Sequence, residues 1–67
     1  MAYVKTENIV VVRMDDVVYT YSDATFTINN NVLIITQYRQ PAGLARAVHR
    51  HPLFNVWDWY PDGQDGG

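Results

Sequence analysis

The chain has 67 residues, enough for one small domain and not for a second. It contains no cysteine, which excludes disulfides and zinc–thiolate sites, and its 48% hydrophobic and 18% charged residues predict a folded chain. The net charge of -2 disfavours nucleic acid as a partner.

Short apolar runs rich in Val, Ile, Thr and Tyr predict an all-β fold. Residues 8–14 (NIVVVRM) and 17–21 (VVYTY) are predicted strands on either side of a turn at Asp15-Asp16. Residues 25–29 (TFTIN) and 32–38 (VLIITQY) are the next two.

Asn30 and Asn31 predict a two-residue hairpin turn, because asparagine tolerates the positive φ that such a turn requires. This turn would pair Ile28 with Leu33 and Phe26 with Ile35. All four apolar side chains would then lie on one face of the sheet, as a real hairpin requires.

Residues 41–50 fit either a short helix or a strand, and the alternation of Leu44, Arg46 and Val48 with alanines favours the strand. Residues 54–60 (FNVWDWY) are predicted to return from it as the last strand. We expect a single domain over residues 1–60 and a flexible polar tail over residues 61–67.

Nearly every predicted strand is apolar on both faces, whereas a one-layer antiparallel sheet normally has one polar face. We therefore expect a small antiparallel meander, curled sheet or roll of five to six strands. The spare face would be covered by curling or by a second copy of the chain, as a homodimer or a larger oligomer.

His49 and His51 have the spacing of two metal ligands on one strand face, with Asp58 or Asp62 as a possible third. A solvated hairpin tip ended by Pro52 is the favoured interpretation, so no metal and no cofactor are expected. The only serine, Ser22, lies outside any nucleophile motif, and no catalytic residue is predicted.

Four of the aromatic residues fall between Phe54 and Tyr60, next to a basic segment. We expect Trp57 to be central and buried, and Trp59 to lie nearer the sheet edge. Aromatic and basic side chains together form stacking and anion-contacting surfaces. The predicted binding residues are Trp57, Trp59, Tyr60, Arg46, Arg50, His49 and His51.

The apolar pattern over residues 16–60 resembles that of short proteins found in actinobacteria and their phages. It comprises Ala24, Phe26 and Ile28, then Val32, Leu33 and Ile35, then Ala45, Ala47 and Val48, then Phe54, Val56 and Trp57. The chain departs from those proteins at Phe54, where they usually have tryptophan, and in its longer connection over residues 39–52. The resemblance implies an accessory protein of phage or prophage origin and no catalytic chemistry.

Two functions remain open. The first is a small non-enzymatic protein that binds a host or phage protein through an aromatic sheet face. The alternative is an oligomer that binds a small anion such as a nucleotide. The first fifteen residues carry four charges, and no apolar run approaches the roughly 18 residues of a membrane span. We therefore expect a cytoplasmic protein, in the host cytoplasm if phage-encoded, with no membrane partner.

Overall fold

The computed structural model describes residues 4–62, and their fold is one open, five-stranded antiparallel sheet. The all-β prediction is therefore confirmed. A single 3-10 turn, Leu53–Asn55, is the only helical element in this part of the chain. The strands are β1 (Glu7–Arg13), β2 (Val18–Asn29), β3 (Val32–Arg39), β4 (Leu44–Pro52) and β5 (Val56–Pro61).

The strand order is β4-β3-β2-β1-β5, so the first four strands form a meander and β5 lies beside β1. Residues 41–50 fit either a helix or a strand in the sequence; residues 44–50 belong to strand β4, the favoured alternative, and residues 41–43 form the turn before it. The last strand does not return along β4 as expected. Only Leu53–Asn55 joins the two edge strands, so the sheet must curl to bring its edges together at that end.

Residues with positive φ close the first two hairpins. Asp16 has φ 69° in the turn between β1 and β2, and the Arg13 amide donates to the Val17 carbonyl at 2.9 Å. Asn30 and Asn31 have φ 52° and 62°. Each position suits a residue that tolerates the left-handed region.

The predicted hairpin register is confirmed. Ile28 pairs with Leu33, and Phe26 pairs with Ile35. The two inner residues of β3 are fully buried, whereas their partners on β2 are partly exposed. A shared face therefore does not imply equal burial.

The two runs predicted as separate strands over residues 17–21 and 25–29 form one bent strand, β2. Its first half pairs with β1 and its second half with β3. Asp23, with φ 50°, lies between the halves, where the pairing with β1 shifts register. Because β2 is continuous from Val18 to Asn29, five strands form rather than six.

The core lies on the concave face of the curled sheet. Every strand except β4 contributes a buried side chain to it. The members are Ile9, Val11, Tyr21, Ala24, Leu33, Ile35 and Val56, and the partly buried Leu53 and Trp59 pack against them. The accessible surface of 4457 Å² matches the roughly 4,300 Å² expected of a compact monomer of 7.7 kDa. Self-association is thus not needed to bury the core, and it stays a prediction.

The expectation for the two tryptophans is wrong. Trp57 is 73% exposed, whereas Trp59 is half-buried against the core and meets Phe26 edge to face at 6.5 Å. The cause is a β-bulge: Val56 lies opposite Arg13 and Asp58 opposite Val12, which leaves Trp57 unpaired. One extra residue breaks the strict alternation on which the prediction rested.

The first two residues of the tail predicted over 61–67 contact the sheet. Pro61 belongs to β5, and the Asp62 amide donates to the Asn8 carbonyl at 2.7 Å. Residues 63–67 lie outside the described part of the chain. Over residues 4–62, no helix is long and apolar enough to cross a membrane.

Candidate functional site

A group of polar and aromatic side chains occupies the concave face beside the apolar core. We call it the Tyr–His cluster. Strands β2 and β4 each contribute two residues that are spaced two apart, and β3 contributes one. Side chains two apart on a strand lie on the same face, because successive side chains alternate between faces. The members are Tyr19, Tyr21, Gln37, His49 and His51.

The centre of the Tyr–His cluster is a hydrogen bond of 2.8 Å between the Tyr21 hydroxyl and Nε2 of His51. The Tyr21 ring also stacks on His49, with centroids 4.5 Å apart, and Tyr19 lies 5.3 Å from the His51 ring. β2 and β4 are separated by β3 in the sheet, so the bond between Tyr21 and His51 reaches across the concave face. The positive φ of Asp23 and the register shift beside it bend β2 just after Tyr21.

Gln37 orients the imidazole ring of His49. Its Nε2 donates to the Ser22 carbonyl at 3.1 Å, so its Oε1 is left as an acceptor. Nε2 of His49 lies 2.9 Å from that oxygen and must therefore carry the proton of the bond. The cluster thus orders both imidazoles through neutral groups.

His51 is only 6% exposed, and Nδ1 of its ring has no hydrogen-bond partner among the described residues. Burial lowers the pKa of the imidazole, and Arg13 and His49 lower it further. Burial and then Tyr19 raise the pKa of the Tyr21 hydroxyl. Both partners of the central hydrogen bond are therefore neutral at pH 7.

The interpretation of His49 and His51 as a solvated hairpin tip is wrong, because both lie within β4 and one is buried. Within residues 4–62, no three His, Cys, Asp or Glu side chains come together as metal ligands. Asp58, a proposed third ligand, pairs with Val12, which is on the face opposite the core.

A second feature lies at the end of the sheet where the β1–β2 turn meets the 3-10 turn. The Met14 amide donates to the Asn55 carbonyl at 2.8 Å, and Arg13 pairs with Val56. Exposed large apolar side chains lie on the segments that these backbone contacts join, and we call them the turn-end patch. Its members are Met14, Val17, Val18, Phe54 and Trp57.

The predicted binding residues do not form one surface. Trp57 belongs to the turn-end patch, Trp59 to the core, and Tyr60 lies exposed opposite Val10. Arg46 and Arg50 are on β4, at the other edge of the sheet, and the histidines are in the Tyr–His cluster.

Sequence reasoning missed Tyr19, Tyr21 and Gln37. A signal for two of them was present, since Tyr19 and Tyr21 have the same two-residue spacing as the histidines. The spacing places each pair on one face, but only the bend of β2 brings the two pairs together.

No family model, no curated protein and no solved structure matches the chain. The resemblance to short proteins of actinobacteria and their phages therefore stays a prediction.

Proposed function

We propose that this chain is a small non-enzymatic interaction protein that binds a partner protein through the turn-end patch. The observation that carries the proposal is the concentration of five exposed large apolar side chains at one end of the sheet. Isolated exposed apolar residues are ordinary, but contiguous ones mark interaction sites on small proteins.

Two aromatic anchors dominate the turn-end patch. Phe54 is 78% exposed and Trp57 is 73% exposed, and large aromatic residues supply most of the binding energy at protein interfaces. The backbone that carries them is held by the bond between Met14 and Asn55. A preformed surface loses little conformational entropy on binding, which favours affinity.

Carboxylates flank the members of the turn-end patch along the chain and indicate the charge of its partner. Asp15 and Asp16 lie in the turn between β1 and β2, and Asp58 follows Trp57; all three are exposed. A complementary partner has an apolar hollow with a rim of lysine or arginine. This charge pattern also argues against nucleic acid at the same surface.

The chemistry of the Tyr–His cluster supports a role without catalysis. Tyr21 and His51 are both buried, and the hydroxyl and Nε2 are hydrogen-bonded to each other, so neither group is open to a substrate. The resemblance to phage proteins supports a host or phage protein as the partner.

The test is a comparison of three variants for binding to the partners captured from lysate. Phe54→Ala and Trp57→Ala should each weaken binding by about 2 kcal/mol, roughly 30-fold. Val48→Ala removes an exposed apolar side chain from β4, at the other edge, and should leave binding unchanged. Salt should slow association with the wild type.

A captured protein that binds Trp57→Ala as tightly as wild type would contradict the proposal. If the bound species is a second copy of this chain, light scattering will show a dimer that Trp57→Ala disrupts. The turn-end patch would then be a self-association surface rather than a site for another protein.

A further inference from the structure

A hollow of about 250 Å³ lies at the end of the sheet where β3 passes into β4. Arg39 and Arg46 line it together with Leu44 and Ala45. The strand ends around it are fixed, because Arg39 pairs with Leu44 and the Gly43 amide donates to the Arg39 carbonyl at 3.0 Å. Gly43 has φ 71°, which glycine adopts without strain.

Among the residues that the structure describes, the arginines of the hollow have no carboxylate partner. Between residues 39 and 51 there is no Asp or Glu. Over the described range of 4–62, the ion pair within 4 Å joins Arg13 to Asp15, which belongs to the β1–β2 turn. The hollow is therefore a locally positive place on a chain whose net charge is -2.

We propose that this hollow binds a dianionic phosphate monoester, independently of the turn-end patch. Two guanidinium groups match the two negative charges of the phosphate. Each planar guanidinium can donate two parallel hydrogen bonds to a pair of phosphate oxygens. Leu44 and Ala45 provide an apolar wall for the carbon group that the ester carries.

The size of the hollow limits the ligand. Pockets for drug-sized ligands span roughly 300–1,000 Å³, and this one is smaller. It takes one phosphate with a small carbon group, not a dinucleotide. The phosphate group is common to small metabolites and to phosphorylated side chains of proteins, so the experiment includes both.

The experiment is an NMR titration of the ¹⁵N-labelled full chain at constant ionic strength. The probes are inorganic phosphate, phenyl phosphate and a short phosphoserine peptide, with benzoate as a singly charged comparison. We expect saturable shifts of the Gly43 to Arg46 amides, at least tenfold tighter for phenyl phosphate than for benzoate. Preference for the peptide over phenyl phosphate would identify a phosphorylated protein as the source.

Three variants distinguish a site from general attraction of anions. Arg39→Gln and Arg46→Gln should each weaken phenyl phosphate about tenfold. Arg50→Gln removes the same charge from the same strand outside the hollow and should change affinity less than twofold. Equal weakening by all three, or shifts that do not saturate, would overturn the proposal.

Discussion

The concave face of the sheet has an apolar region and a polar one, and they are held together differently. Ile9, Val11, Leu33 and Ile35 are fully buried and belong to one hydrophobic cluster. The Tyr–His cluster beside them depends on directed hydrogen bonds, such as that between Tyr21 and His51. The apolar region stabilises the fold in proportion to the apolar surface that it buries. In the polar region, burial is costly unless each polar group keeps its hydrogen-bond partner.

The largest effect is expected in the apolar region. Leu33→Ala should lower the free energy of unfolding by about 2–5 kcal/mol, because it removes buried methyl groups and leaves a cavity. That is much of the stability of a domain this small. Urea unfolding followed by tryptophan fluorescence measures it, with exposed Val48→Ala as the control. A loss below 1 kcal/mol would mean that Leu33 is not at the centre of the core.

The two tryptophans of β5 give the next comparison. Trp59→Ala should cost about 2 kcal/mol, roughly half the value for a fully buried tryptophan, since Trp59 is half-buried against the core. Trp57→Ala should change stability by no more than about 0.5 kcal/mol, because its side chain is mostly in solvent. Thermal unfolding of both variants tests this order, and the reverse order would place Trp57 in the core.

Within the Tyr–His cluster, Tyr21→Phe keeps the ring and removes the hydroxyl. It should cost about 1–2 kcal/mol, because Nε2 of buried His51 is left without a partner. Tyr21→Phe combined with His51→Phe should cost less than the sum of the single changes, as expected for two groups in contact. Strict additivity in chemical denaturation would show that the hydrogen bond contributes nothing.

Mild acid should have the smallest effect. Burial lowers the pKa of His51 in the folded chain, whereas the unfolded chain keeps the ordinary value of about 6.5. As pH falls below 6.5 the unfolded state binds the proton first, so stability decreases until the folded pKa is passed. Melting temperatures from pH 7.5 to 4.5 should fall more for wild type than for His51→Gln. Parallel curves would exclude His51 as the cause.

Local signals in the sequence predicted the parts of the fold that depend on neighbouring residues. Asn30 and Asn31 fixed a hairpin and its register, since positive φ is a local requirement. The bulge that turns Trp57 outward depends on how β5 meets β1, which is a long-range pairing. The Tyr–His cluster likewise depends on the bend at Asp23, which brings distant parts of the chain together.

The position of β5 beside β1 has a consequence for how the chain folds. Ile9 pairs with Pro61, so β1, which is synthesised before β5, receives its second neighbour only when β5 has been made. Until then, β1 is an edge with unpaired backbone groups, and Val11 lacks the contact of Trp59. Pairing between strands so far apart in the chain slows folding. A nascent chain that lacks β5 therefore exposes an unpaired edge strand through which it can aggregate with other proteins.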